Sequence, residues 1–226
     1  MGPILEARAV VKELVGPQEP VRAVDGVDLV IQRGEFVAIT GPSGSGKSTL
    51  LYLLGALDRP TKGEVLVDGI STNGLAETKL AGLRNAKIGF VFQFHFLLPE
   101  LTAVDNVAMP MMVGGMGSAA ARKRAGELLE KVELGHRAQH RPHELSGGQQ
   151  QRVAIARALA NDPLVLLGDE LTGNLDTKNG DLVYGWLRAQ NRERGQTIVI
   201  VTHNLELAAH ADRVIELVDG KVAGLA

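Results

Sequence analysis

Eight residues, Gly41-Pro42-Ser43-Gly44-Ser45-Gly46-Lys47-Ser48, restrict the local topology of this 226-residue chain more than any others. They spell GxxxxGK followed by Ser or Thr. They stand between an apolar run, Phe36-Val37-Ala38-Ile39-Thr40, and a helical pattern from Lys47 to Leu57. Glycines let such a loop turn tightly so that several backbone N–H groups converge, and the following helix adds partial positive charge at its N-terminus. The ligand this cradle takes is a nucleoside triphosphate. Gly41, Ser43, Gly44, Ser45, Gly46, Lys47, Ser48 and Thr49 are the expected phosphate-binding residues, with Lys47 reaching the β- and γ-phosphates and the Ser48 hydroxyl on Mg2+.

Around this loop, segments of two kinds alternate. Phe36 to Thr40, Leu164 to Leu167 and Ile198 to Thr202 are apolar and rich in β-branched residues, as buried parallel strands are. Lys47 to Leu57, Ala119 to Val132, Gln149 to Ala160 and Leu182 to Arg194 carry helical periodicity. The order predicts an α/β core with crossover helices. Two Asp-Gly pairs, Asp68-Gly69 and Asp219-Gly220, predict hairpins near the start and the end of the fold. Gly34 marks a further turn, and Gly114-Gly115-Met116-Gly117 is the best candidate for a flexible joint.

Composition removes several function classes. With 24 Lys and Arg against 26 Asp and Glu, the net charge of -2 gives no bulk attraction to nucleic acid, and none is expected as a partner. The absence of cysteine excludes disulfides and thiolate chemistry. No apolar stretch approaches the roughly 18 residues of a spanning helix. The N-terminal MGPILEARAV lacks the charged-then-apolar pattern of a secretory signal. The expectation is a cytoplasmic protein.

Two further motifs carry chemistry. The run Leu164 to Leu167 ends in Gly168, Asp169 and Glu170, and two carboxylates at the end of a buried strand are costly unless they have a task. Asp169 suits an outer-sphere hold on Mg2+, and Glu170 suits a general base toward the water that attacks a γ-phosphate. In Leu145-Ser146-Gly147-Gly148-Gln149, Ser146 and Gln149 form a Ser-x-x-Gln capping box. The two glycines leave the first-turn N–H groups approachable, a second anion site in the same chain.

LSGGQQQR, together with the phosphate loop and the Asp169-Glu170 pair, resembles the ATPase subunit of an ATP-binding-cassette (ABC) transporter, from about Leu5 to Val222. The resemblance implies a P-loop NTPase fold of α/β class, with an antiparallel β subdomain, a core of residues 1–94 and 157–226, and a helical subdomain of about 95–156. It implies a head-to-tail homodimer in the ATP-bound state, in which Ser146, Gly147, Gly148 and Gln149 of one copy contact the γ-phosphate held by Lys47 of the other. Gln93 matches the glutamine that senses the γ-phosphate and Mg2+. His203 matches the switch histidine, and Asn174-Leu175-Asp176 the loop that crosses the dimer interface. On this reading ATP and Mg2+ are the cofactors. Glu170, His203, Lys47 and Gln93 are catalytic, and Ser48, Gln93 and Asp169 serve the metal.

Within the family, Gln93-Phe94-His95-Phe96-Leu97-Leu98-Pro99, Val104 to Pro110 and His140 to Ser146 resemble the lipoprotein-releasing ATPases. Leu54 to Thr61 and Gln149-Gln150-Gln151 are closer to the macrolide-exporter ATPases. Both imply integral membrane permeases with large extracytoplasmic domains and a place on the inner face of the cell membrane. A cell-division or a non-transport cassette ATPase is the alternative. Phe94, Phe96 and the cluster Met109, Met111, Met112 and Met116 follow Gln93, where the family docks the membrane subunit. Core filling explains the same residues equally well.

Two departures stand out. No Tyr, Phe or Trp occurs before Phe36 to stack on adenine near Leu14, and Leu171 replaces the proline usual after the catalytic glutamate. The first predicts weak base stacking and the second a looser aim of Glu170, with reduced turnover. His136, His140 and His143 are read as solvated or interface histidines, because Pro142 breaks any common helical face.

Overall fold

The computed structural model describes residues 2–15, 19–171, 173 and 177–225. In chain order the strands are β1 (Leu5–Leu14), β2 (Val21–Ile31), β3 (Phe36–Thr40), β4 (Lys62–Val67), β5 (Ile70–Ser71), β6 (Ile88–Val91), β7 (Val165–Asp169), β8 (Thr197–Val201), β9 (Arg213–Val218) and β10 (Lys221–Leu225). The helices are α1 (Lys47–Leu54), α2 (Glu77–Lys87), α3 (Ala103–Val113), α4 (Ser118–Lys131), α5 (Gly147–Ala158), α6 (Thr177–Arg194) and α7 (Leu205–Ala208). Single 3-10 turns occupy Gly135–Arg137 and Pro142–Glu144.

Strands β10-β9-β3-β8-β7-β6 form one sheet, parallel except for the terminal β10, and β2-β1-β4-β5 form a second, antiparallel sheet. Every residue of β3, β7 and β8 is buried, as expected where a parallel sheet is covered on both faces. The Asp68-Gly69 and Asp219-Gly220 turns close the β4–β5 and β9–β10 hairpins. All four residues have positive φ, which a two-residue turn matched to strand twist requires.

Among the described residues, three apolar clusters hold the layers together. The first joins the two sheets around α1, whose Leu50, Leu51, Leu53 and Leu54 are wholly buried. Each contributes about 1.5–3 kcal/mol, enough to fix a helix of eight residues that would be marginal alone. The second covers the other face of the parallel sheet, with Phe36, Ala38 and Ile198 against Val183 and Leu187 of α6. The third lies within the helices, with Val104, Val107 and Met111 of α3 against Ala125 and Leu129 of α4. Helix α5 serves two of them: Ala154 and Ile155 pack in the second, and Val153 and Ala156 in the third.

The structure departs from the sequence expectation at several borders. Helix α1 stops at Leu54, not Leu57, because Gly55 caps it and Ala56 turns to a φ of 52°. Phe90 packs so closely there that a methyl on Gly55 would lie 2.7 Å from its ring. Helix α5 begins at Gly147, two residues early, since Ser146 and Gln149 form the complete capping box. The Gly114–Gly117 stretch is a turn between α3 and α4, with Gly114, Gly115 and Met116 donating backbone hydrogen bonds to Pro110, Met112 and Met111. Of the methionines, Met111 is core, whereas Met112 and Met116 are exposed.

Candidate nucleotide site

The sheet order brings the chemistry together. Strands β3, β8, β7 and β6 are consecutive neighbours, all parallel, so their C-terminal ends lie side by side. β3 delivers the phosphate loop, and β8 delivers Thr202 and His203. β7 delivers Asp169 and Glu170, and β6 leads into Gln93. In register, Ile39 pairs with Val201 and Val201 with Asp169. A cavity of about 680 Å3 opens over this edge. Its lining includes Gly41, Ser43, Gly44, Gly46, Lys47, Ser48, Thr49, Glu170 and His203.

The loop is held from behind by both sheets. A methyl on Gly41 would lie 2.0 Å from the Leu217 carbonyl oxygen of β9, and one on Gly46 1.9 Å from that of Ala23 in β2. Gly220 N–H donates to the Ser45 carbonyl at 3.0 Å, so the β9–β10 turn also supports the loop. Gly46, with φ 96°, is the N-cap of α1 and brings no side chain to the first-turn N–H groups. Lys47 Nζ donates to the Gly41 carbonyl at 3.0 Å and to that of Pro42 at 2.7 Å, which fixes the ammonium over the loop. The buried Ser45 Oγ has no hydrogen-bond partner among the described residues.

Asp169 is 7% exposed. Its Oδ1 accepts from Ser48 Oγ at 2.9 Å and its Oδ2 from Tyr52 Oη at 2.9 Å. A hydroxyl and a carboxylate joined in this way form an all-oxygen donor set, the type that Mg2+ uses. With the glycine cradle and the unpartnered Ser45 hydroxyl, the residues present fit an Mg2+–triphosphate.

Glu170 lies next in the chain, at a φ of 49° that costs a non-glycine residue about 1–2 kcal/mol. Its amide donates to the Val201 carbonyl at 3.0 Å, its carbonyl accepts from Gly173 N–H at 3.0 Å, and its Oε2 lies 2.6 Å from His203 Nδ1. The Glu170 side chain is 18% exposed and that of His203 72% exposed, so the pair presents the imidazole outward. Leu171, where proline was expected, is buried against Gly168 in the second core cluster; packing anchors it instead of a fixed ring. Gln93 comes close to this turn, since a methyl on Gly173 would lie 3.3 Å from its Nε2.

Not every expected site residue joins the cavity. Ser146, Gly147, Gly148 and Gln149 lie apart from it, at the start of α5, with Ser146 and Gly147 exposed and no heavy atom of the described residues near the Cβ position of Gly147. Asn174-Leu175-Asp176 lie outside the described residues. Among the described residues, no three His, Cys, Asp or Glu side chains are placed to hold a metal. In the histidine group Arg137 Nη1 lies 2.8 Å from His140 Nε2.

Another part of the cavity lining is aliphatic and charged: Leu14, Val21, Arg22 and Ala23, with Arg22 bridging Glu13 at 3.2 Å and Asp25 at 3.3 Å. Sequence reasoning did not find Val21, Arg22 or Tyr52. The only local signal for Tyr52 is its spacing of four from Ser48, which puts both hydroxyls on one face of α1.

The family described as ABC transporter matches residues 24–173. An uncharacterized ABC transporter ATP-binding protein of Thermotoga maritima is 54% identical over 205 residues, 91% of this chain and 87% of that protein. The lipoprotein-releasing system ATP-binding protein LolD 1 of Chlorobium chlorochromatii is 57% identical over 201 residues, 88% and 82% of the two chains. The dimeric ATP-binding cassette MJ0796, in a post-hydrolysis state bound to ADP and Pi, superposes with a TM-score of 0.92 at 47% identity, covering 98% of this chain and 97% of that one. On motif, sheet order and these likenesses together, the chain belongs to the ABC transporter family, as one of its ATP-binding cassettes.

Proposed function

We propose that the chain is the ATP-hydrolysing subunit of a lipoprotein-releasing type of ABC transporter. It would work on the cytoplasmic face of the membrane as an ATP-bound head-to-tail dimer under a permease with an extracytoplasmic domain. The single observation that carries the hydrolytic part is the convergence of Lys47, Ser48, Asp169, Glu170 and His203 at the ends of three adjacent strands. The cargo class rests on relatives of 47–57% identity named as lipoprotein-releasing ATP-binding proteins.

In this reading Lys47 leaves its loop carbonyls for the β- and γ-phosphates, while backbone N–H groups from Ser43 to Thr49 surround the remaining oxygens. Ser48 and Asp169, with Gln93, hold Mg2+, which when bound draws negative charge off the phosphates. Glu170 takes a proton from the attacking water as its oxygen bonds to the γ-phosphorus. The bridging bond to the β-phosphate breaks, and its electron pair stays with ADP. His203 orients the Glu170 carboxylate through Nδ1 and faces the γ-phosphate. The open start of α5, capped internally by Ser146 and Gln149, supplies the partner copy's N–H groups to the same phosphate. The helical region of about 95–156 acts as the subdomain that carries this motif. Phe94 and Phe96, 65% and 63% exposed, form part of the permease-docking surface.

The test is to isolate tagged Glu170→Gln protein from native membranes with ATP. It should turn over about 10²–10⁴-fold more slowly than the parent and bring with it a permease bearing a large outer domain. Unchanged hydrolysis would remove Glu170 from the mechanism. Recovery of soluble or ribosomal partners alone would favour a non-transport cassette.

A further inference from the structure

Both oxygens of the buried Asp169 carboxylate are engaged, and by the same helix. Ser48 and Tyr52 stand one turn apart on α1, and their hydroxyls lie 2.9 Å from Oδ1 and 2.9 Å from Oδ2. A carboxylate held at one oxygen alone is free to rotate about its last bond. Held at both, it has one orientation, with Oδ1 turned to the phosphate-loop serine.

The phenol is itself held. Its ring lies tilted on Phe90 at 5.8 Å between centroids and meets Phe92 edge-on at 6.3 Å, and those two rings stack at 4.5 Å. A phenol keeps its proton at neutral pH, so Tyr52 has one to donate to Asp169. The nucleotide mechanism above uses none of these three aromatic rings.

We propose that Tyr52 is a positioning residue of the metal site: its hydroxyl locks the Asp169 carboxylate so that Oδ1 faces Ser48, and Phe90 and Phe92 hold its ring in place. The proposal rests on the reading of Asp169 as the metal-side carboxylate. Groups that hydrogen-bond a metal's carboxylate typically change metal affinity by about 10–100-fold when removed, without touching the ion. Tyr52→Phe removes the one donor and keeps the ring.

The experiment measures Mn2+ affinity by electron paramagnetic resonance in the Glu170→Gln protein with ATP, so that no turnover intervenes. Four proteins are compared: this background alone, and with Tyr52→Phe, Asp169→Asn or both. Tyr52→Phe should weaken Mn2+ binding about tenfold, while ATP affinity without divalent ion stays within about twofold. Because Tyr52 acts through Asp169, the double variant should lose no more than Asp169→Asn alone. Mn2+ affinity within twofold of the background in Tyr52→Phe, beside a clear loss in Asp169→Asn, overturns the proposal. Additive losses overturn it too. No loss in Asp169→Asn would instead overturn the metal reading on which it rests.

Discussion

Gly46 and Gly44 belong to the same loop and both have positive φ, 96° and 80°, yet alanine should affect them very differently. At Gly44 a methyl meets no heavy atom of the described residues within 4 Å. Alanine there pays about 1–2 kcal/mol for the left-handed backbone, partly offset by about 0.4–1 kcal/mol from a less flexible unfolded chain. At Gly46 the methyl would lie 1.9 Å from the Ala23 carbonyl oxygen, about 1.5 Å inside ordinary contact at 3.4 Å. That atom is strand backbone and cannot swing away, so overpacking adds about 1–3 kcal/mol. The totals are about 1 kcal/mol for Gly44→Ala and about 3 kcal/mol for Gly46→Ala. For a chain of this length these convert to losses of about 2–4 °C and about 6–12 °C in Tm. Calorimetry of the two variants, with ATP binding by fluorescence titration, gives the comparison. Gly46→Ala should also lose more than tenfold in ATP affinity, because the loop can accept the methyl only by moving away from β2. Equal Tm losses in the two variants, or an unchanged ATP affinity in Gly46→Ala, would refute the claim that β2 sets the position of the loop.

Other consequences follow from the same structure. Leu14→Tyr should tighten ATP about fivefold by adding an aromatic face worth about 1 kcal/mol at the aliphatic end of the cavity, and should tighten GTP as much; an unchanged ATP affinity would place the base elsewhere. His95 is held below its usual 6.5 by burial and, secondly, by the neighbouring Arg157 guanidinium. As pH falls below 6.5 the unfolded chain takes up a proton there that the native chain does not, so stability drops on acidification, and above 6.5 this penalty is absent. His95→Asn should flatten the Tm profile between pH 7.5 and 5.5, and parallel profiles for both proteins would show that His95 is not responsible.

The parts of the site that sequence revealed are those built from contiguous residues. The phosphate loop, the strand ending in Asp169 and Glu170, and the Ser146–Gln149 box are each spelled by consecutive residues, so their residue types and spacing are legible before any distant contact is known. What it concealed depends on contacts between distant segments. Tyr52 meets Asp169 across 117 positions, and the support of Gly46 by Ala23 arises only when two sheets pack. The long strands β1 and β2 were hidden for a different reason. Their pairing slips between Ala7 and Val10 and again between Val10 and Lys12. Ala9 sits there at φ 45° with its amide donating to Asp28 Oδ1, which breaks the alternation that marks a half-buried strand. The missing aromatic near Leu14 was visible from sequence, whereas the aliphatic and charged surface in its place required the fold.

In the proposed mechanism, ATP joins two copies across the Lys47 loop of one and the Ser146 helix of the other. Sedimentation of the Glu170→Gln protein with and without ATP and Mg2+ tests it most directly. The mass should rise from the single-chain 24.0 kDa to twice that value with ATP, and should return to 24.0 kDa when either Lys47→Ala or Ser146→Arg is added. A Glu170→Gln protein that stays at 24.0 kDa under saturating ATP and Mg2+ would contradict the account.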